Sequence, residues 1–452
     1  MKARQYPMKL SALCRLDWGN RAHAGMVLYG ATAIALAALL TASTPRGNAQ
    51  TGPRLTTIYS FTGGGDGASP NSLLITKSGS IYGTTISGGT GLGGTVFELK
   101  PPSVAGGTWT EAAIYSFKGI PDGYAPNPGL TLLANGDLYG TTSAGGTTDA
   151  CPSDLSGCGT VFRLNPPKSG TAWQESVLYR FSLESAAGIV PAGGVVVGNG
   201  VIYGTTAQGG DFPSCGTSGC GSVFEMVPGV ITALHTFAGS EGAYPDGPFI
   251  LSDGSLYGTT AGGGTAGVVF ELTPPTTAGG AWTESTVYNF TGTNGDGSVP
   301  NSLLIAENGT LYGTTESGGI NGNGTVFQLV PPAVAGGSWT ETVLHDFTGA
   351  VIDSSDGSEP VSLVIDASGN LYGAAYQGGT VTTACPDGCG ALFKLAPPAA
   401  SGGPWKESIL YRFKGTSDGI APAGLAINAK GVLFGTAQGG TPGYGNIFAL
   451  QP

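Results

Sequence analysis

Charge, histidine and helical period are all scarce in this chain. Charged residues make up only 10% of it, and of its three histidines His23 lies in an N-terminal segment set apart below. His235 and His345, the two that remain, fall at matching places in different repeats. That leaves no basis for a Ser/His/Asp triad or a multi-histidine metal centre. No Gly-x-x-x-x-Gly-Lys stretch is present, and the glycine-rich segments run between strands rather than into helices, so a phosphate cradle is excluded. Long apolar runs are also missing, with one exception. Met26 to Ala42 is nearly all apolar, follows Lys2, Arg4, Lys9, Arg15 and Arg21, and precedes the small residues Gly47-Asn48-Ala49. This pattern predicts a secretory signal peptide over residues 1–49 and a mature domain over 50–452, secreted or held at the cell surface. The run is near the lower limit for spanning a bilayer, so an uncleaved anchor is the alternative; the mature chain carries no span. Cys14 precedes the apolar run, which speaks against a lipid-anchored cysteine.

Basic residues are in deficit too. Taking Lys2, Arg4, Lys9, Arg15, Arg21, Arg46 and Asp17 away from the 18 basic and 29 acidic residues leaves 12 and 28, a net charge of −16. Nucleic acid and anionic membrane surfaces need basic patches and are not expected as partners. Neutral glycans, cations and basic proteins fit.

Of the seven cysteines, six lie in the mature chain as three close pairs: Cys151 with Cys158, Cys215 with Cys220, and Cys385 with Cys389. No histidine lies near them, and in an exported chain even, local pairs predict disulfides rather than metal ligands.

What is abundant is repetition. Ile81-Tyr82-Gly83-Thr84-Thr85 returns at Leu138–Thr142, Ile202–Thr206, Leu256–Thr260 and Leu311–Thr315, and more weakly at Leu371–Ala375 and Leu433–Ala437. Its glycines are spaced by 57, 64, 54, 55, 60 and 62 residues, so the chain is an array of seven units. Each unit reads as four short strands. An apolar strand (Ser72 to Thr76) meets the tyrosine strand through a turn holding Gly79, Gly136, Gly200, Gly254, Gly309, Gly369 or Gly431, as primed turns require. A glycine-rich loop of variable length, carrying the cysteine pairs, leads to a third strand such as Gly94-Thr95-Val96-Phe97. Pro101-Pro102 stops that ladder, and a fourth strand opens at Trp109, Trp173, Trp282, Trp339 or Trp405. The fold class predicted is all-β: a seven-bladed β-propeller with four antiparallel strands per blade. A sandwich or open solenoid is the alternative. The chain ends favour a ring. Leu55 to Phe61 matches a fourth strand with nothing before it, and Gly445 to Leu450 is a third strand with nothing after it, so the N-terminal strand is expected to complete the last blade.

The repeated Leu-Tyr-Gly-Thr-Thr, the Gly-Gly loop, Gly-Thr-Val-Phe and the Asp-Gly-x-x-Pro corner together resemble the bacterial GloVer tandem-repeat family across the whole mature chain. That resemblance implies an exported repeat protein without an established activity. Its members often carry a C-terminal anchor, a pattern from which this chain departs at Pro452. A weaker likeness to kelch repeats lies in the double glycine and the later tryptophan.

The most distinctive polar motif falls on the face from which loops two-to-three and four-to-one emerge: Asp66, Asp122, Asp296, Asp356 and Asp418, each in Asp-Gly-x-x-Pro, with Glu241 substituting in the fourth unit. A ring of carboxylates near a channel mouth could bind a cation or sugar hydroxyls; the competing reading is that each caps its own turn. The Thr-Thr pairs, tyrosines and tryptophans are expected to pack, and the motif glycine to allow close backbone approach near the axis. No catalytic residue or metal ligand stands out, and no cofactor is called for beyond a structural cation such as Ca2+. The expected function is non-catalytic binding of a glycan or extracellular protein on one face. A glycan-active hydrolase or lyase using carboxylates there, or a structural matrix component, are the alternatives.

Overall fold

Four short antiparallel strands, joined in chain order, make each repeat one radial sheet. In a computed structural model, blade 1 is Ala68–Ile75, Ile81–Ser87, Thr95–Lys100 and Thr110–Ser116. Blades 2 to 6 span residues 124–180, 189–236, 243–289, 297–346 and 358–412. Blade 7 takes Ile420–Ile427, Leu433–Gln438 and Asn446–Gln451, and its fourth strand is Arg54–Ser60 from the other end of the chain. Leu55 pairs with Leu450 and Tyr59 with Ile447. The predicted closed ring of seven blades is therefore the fold. The structure describes residues 52–452 except 105, 149–150, 152–156, 171, 211, 228, 278, 335, 350–355 and 401; the predicted signal peptide lies outside them. No described helix is long and apolar enough to cross a membrane.

Local chemistry explains the hairpins. Asn199-Gly200 and Asp253-Gly254 both hold positive φ at both residues, as a two-residue primed turn demands. In blade 1 the turn is longer, with Gly79 N–H returning to Thr76 O at 3.0 Å. Blade 2 departs from the pattern. Pro128 and Gly129 break its first strand into Tyr124–Pro126 and Thr131–Leu132, because proline cannot donate to the ladder.

The core is divided into seven apolar clusters, one at each joint between neighbouring blades. At each, the phenylalanine ending the fourth strand meets the third-strand phenylalanine of the next blade, edge-on at six joints (Phe117 on Phe162 at 5.0 Å, Phe290 on Phe327 at 5.0 Å and, closing the ring, Phe61 on Phe97 at 5.2 Å) and tilted for Phe181 on Phe224. These rings are fully buried. The motif glycine serves this packing. A Cβ on Gly140 would stand 2.6 Å from Phe162 Cζ, and on Gly258 2.6 Å from Phe270 Cζ. The expectation of close backbone approach holds only in part, since the main occupant of that space is an aromatic ring; in blade 1 the Ser72 carbonyl crowds Gly83 as well, at 2.5 Å.

A second lock lies on the loop face. The residue before each corner proline (Ser69, Ala125, Val190, Tyr244, Val299, Glu359, Ala421) has φ between 49° and 57°. That conformation is unfavourable before proline and most so for valine. Its N–H reaches the previous blade: Ala125 to Gly93 O at 2.9 Å, Val299 to Ala266 O at 2.9 Å, and Ser69 to Tyr444 O at 2.8 Å. The proline then packs on the glycine that opens the third strand, Pro126 on Gly94 and Pro70 on Gly445, where no Cβ would fit. The ring-closing joint uses the same parts as the other six.

Candidate functional site

The six carboxylates marked by the sequence lie against the outermost strands, not at the axis. A bulge in every fourth strand, at Ile114 in blade 1, reverses which face the side chains take. Residues before it look back to the preceding blade and Tyr115 looks forward to the next. That tyrosine donates to the acid of the crossing loop: Tyr59 to Asp66 at 2.9 Å, Tyr115 to Asp122 at 2.6 Å, and Tyr411 to Asp418 at 2.9 Å. Histidine replaces tyrosine twice. His345 Nε2 stands 2.9 Å from Asp356, and His235 Nε2 3.6 Å from Glu241. Each acid also accepts a backbone N–H of its own turn: Thr62 for Asp66, Lys118 for Asp122, Ala238 for Glu241, Thr291 for Asp296, Thr348 for Asp356, and Lys414 for Asp418. Burial would raise the Asp356 carboxyl, but hydrogen bonds from His345 and Thr348 outweigh it and hold it below its usual value. Against the same opposing pull of burial, Glu241 is held low by Ser240 and the Ala238 amide.

A fourth-strand glutamate faces each of five such pairs from the next blade: Glu111, Glu175, Glu284, Glu341 and Glu407. Burial first, and the neighbouring acid second, push Glu111, Glu175, Glu284 and Glu341 up to about 7.

The other sequence candidates are internal as well. The Thr-Thr hydroxyls are buried; the second bonds within its own blade, Thr85 with Thr95 at 2.9 Å and Thr142 with Thr160 at 2.9 Å, while the first can cross to the next blade, as Thr141 does to Gly193 O at 2.6 Å. The tryptophans cross to the second strand of the preceding blade, Trp173 on Tyr82, Trp282 on Tyr203, and Trp405 on Tyr312. Cys151–Cys158, Cys215–Cys220 and Cys385–Cys389 are disulfides, with Cα atoms 5.2–5.5 Å apart. Among the described residues no group of three or more His, Cys, Asp or Glu is arranged to hold a metal.

One break in the seven-fold pattern lies on the two inner strands at the loop-face mouth of blades 5 to 7. Glu359 takes a corner position held elsewhere by Ser, Ala, Val or Tyr, and accepts from Gln377 Nε2 at 2.9 Å. Tyr376 stands where other blades have Ile86, Ser143, Ala207 or Ala261. Burial and then the Glu359 charge raise it, and the neighbouring Gln438 side chain of blade 7 works the other way. Glu316 alternates with Tyr312, whose ring packs on Trp405, so it also faces blade 6; it is exposed. Glu359, Gln377 and Gln438 thus gather around Tyr376, with Glu316 at the matching position of blade 5. Sequence reading missed them because it searched for repeated residues; the signal was the odd residue at a repeated position. Apolar tips surround this face: Leu92 (72% exposed), Ile320 (82%), Val381 and Tyr444.

A family profile, the Gloeobacter/Verrucomicrobia repeat, matches residues 44–214 and again 212–448. The chain belongs to the Gloeobacter/Verrucomicrobia repeat family. The two tandem matches together cover nearly all of the ring. No curated protein matches in sequence. Several solved structures align with this Gloeobacter/Verrucomicrobia repeat protein at low identity. An oxidoreductase (glucose dehydrogenase) from Thermus thermophilus is 15% identical over 88% of this chain and 100% of its own, with a TM-score of 0.43. The PQQ-bound aldose sugar dehydrogenase of Streptomyces coelicolor is 14% identical (78% and 97% covered, TM-score 0.43). A Trichoderma reesei carbohydrate-active enzyme of family AA12, in a calcium structure, is 11% identical (89% and 96% covered, TM-score 0.45).

Proposed function

We propose that this is an exported, non-catalytic propeller that binds a polyhydroxylated ligand, such as a neutral glycan, at the loop-face mouth of blades 5 to 7. The observation that carries this reading is the asymmetry of that mouth. The seven-fold acids are engaged in their own turns, whereas Glu316, Glu359 and Tyr376 break the repeat, beside Gln377 and Gln438, whose place Gln208 also fills in blade 3. Carboxylates and carboxamides offer paired acceptors and donors to vicinal hydroxyls, and a tyrosine adds both an apolar face and a hydroxyl. Three disulfides in loops of the same face suit an oxidising compartment and fix the rim. The acidic balance favours neutral or basic ligands over anionic ones.

A glycan array followed by calorimetry on the best hit tests the reading. Glu359→Gln and Gln438→Ala are each expected to weaken binding about tenfold, the loss of roughly one hydrogen bond to a charged or amide group. Binding unchanged in both variants would move the site elsewhere. A hydrolysis assay on the same glycans addresses the alternative: turnover lost in Glu316→Gln/Glu359→Gln would make the protein a glycan-active enzyme.

A further inference from the structure

Five of the seven joints bring two carboxyl groups and a tyrosine or histidine together, and their geometry is hard to reconcile with two full charges. At the ring-closing joint, Tyr59 Oη lies 2.9 Å from Asp66 Oδ2 and 3.4 Å from Glu111 Oε2. A phenol has one proton, so it serves one carboxylate. The second contact becomes a hydrogen bond when Glu111 is itself protonated and donates to the phenol oxygen. The other oxygen, Oε1, is buried without a hydrogen-bond partner in all five glutamates: Glu111, Glu175, Glu284, Glu341 and Glu407. A charged carboxylate with an orphaned, buried oxygen is costly, and protonation removes most of that cost.

The two remaining joints support this. Where the crossing loop has Ser185 in place of the acid, the position of the glutamate is Ile231; Ser185 still bonds Tyr179, at 3.0 Å. Where Asp418 is kept, the position is Leu55, and one carboxyl stands alone. The second carboxyl therefore occurs only opposite a first.

We infer that at five joints the two carboxyls share one proton, and that these protonated pairs fasten the outer edges of the blades together in mildly acidic surroundings.

The surroundings of each glutamate set the sign. Glu111 faces Asp66 and, with opposite effect, Tyr59; Glu341 faces Asp296 and Tyr288; Glu284 faces Glu241 and, with opposite effect, Thr286. Glu175 faces Asp122 and, with opposite effect, Arg180 and Lys118; Glu407 faces Asp356 and, with opposite effect, His345 and Arg412. Four of these carboxyls are raised to about 7 and Glu407 is raised. Between about 4.5 and 7 the folded chain keeps these protons while the unfolded chain has lost them, so stability falls as pH rises through that window. His235 is lowered by burial and works the other way, losing stability as pH falls through 6.5, but it is one group against five.

The test is the melting temperature of the mature protein at pH 5 and pH 8. The wild type is expected to melt roughly 5 °C or more lower at pH 8. Glu111→Gln/Glu175→Gln/Glu284→Gln/Glu341→Gln, in which an amide supplies the donor at every pH, is expected to lose under about half of that. Asp66→Ser/Glu111→Ile, which copies the carboxyl-free joint, is expected to remove about a fifth of the drop. A wild-type melt that rises towards pH 8, or a quadruple variant with the full wild-type drop, would overturn the inference. If the quadruple variant does not fold, carbon-detected titration of Glu111 in the wild type decides: a midpoint near 7 sustains the inference and one near 4.5 overturns it.

Discussion

The joints between blades and the mouth of blades 5 to 7 are made of the same residue types, yet they differ in what those residues do. At a joint, tyrosine, aspartate and glutamate recur from blade to blade and face one another across the seam. At the mouth, tyrosine and glutamate break the repeat, and Glu359 accepts from Gln377. Repetition marks what holds the ring, and exception marks where a ligand would be chosen. The difference is physical. Seven equivalent joints must each bury the same apolar edge, so selection on stability acts alike on all of them, whereas one ligand touches only a few blades.

The ring closure is where the joints can be broken most severely. Removing residues 52–62 takes away the fourth strand of blade 7 along with Tyr59, Phe61 and the Phe61–Phe97 contact. The melting temperature is expected to drop by more than about 15 °C in calorimetry, since a whole strand and one of seven joints are lost. An unchanged melt would mean that the joints are not what closes the molecule.

Gly140→Ala should come next. Its Cβ would be driven into Phe162, 2.6 Å away, at a cost of about 2–3 kcal/mol in denaturant titrations, with ligand binding untouched. Removing one disulfide, Cys385→Ser/Cys389→Ser, should cost about 2 kcal/mol for the short loop it closes. Because that loop rims the same face as the mouth, it should also weaken binding slightly, and so measures how separate the two regions are. At the acid end, Asp356 and Glu241 are held below their usual values. Their stabilisation is present above about 4.5 and is lost as pH falls through their folded values, so the melt should drop again below about pH 4. Smallest in stability is Gln438→Ala at the mouth. It is expected to shift the melt by less than about 1 °C while reducing ligand affinity, the reverse of every joint substitution.

Much of the architecture was written into the residues themselves. The seven Tyr-Gly copies counted the blades, the Gly turns and Pro-Pro stops divided each into four strands, and the unmatched strands at Leu55 and Asn446 implied closure. The cysteine pairs could be matched because they are local. These are features of period and of neighbouring residues, and period and neighbourhood survive in one dimension. The Asp-Gly-x-x-Pro corner was legible as a turn, but not its partners.

What the tertiary structure alone decided is which side chains meet across a joint. Glu111 is 45 positions from Asp66 along the chain, and nothing in the sequence ties the two until a bulge at Ile114 sends one side of the fourth strand backward and the other forward. The same holds for Phe117 on Phe162, Pro126 on Gly94, and Tyr376 with Gln438. Each contact joins residues on different blades, and the angle between blades, which brings them within reach, is a property of seven sheets packed in a circle rather than of any one repeat.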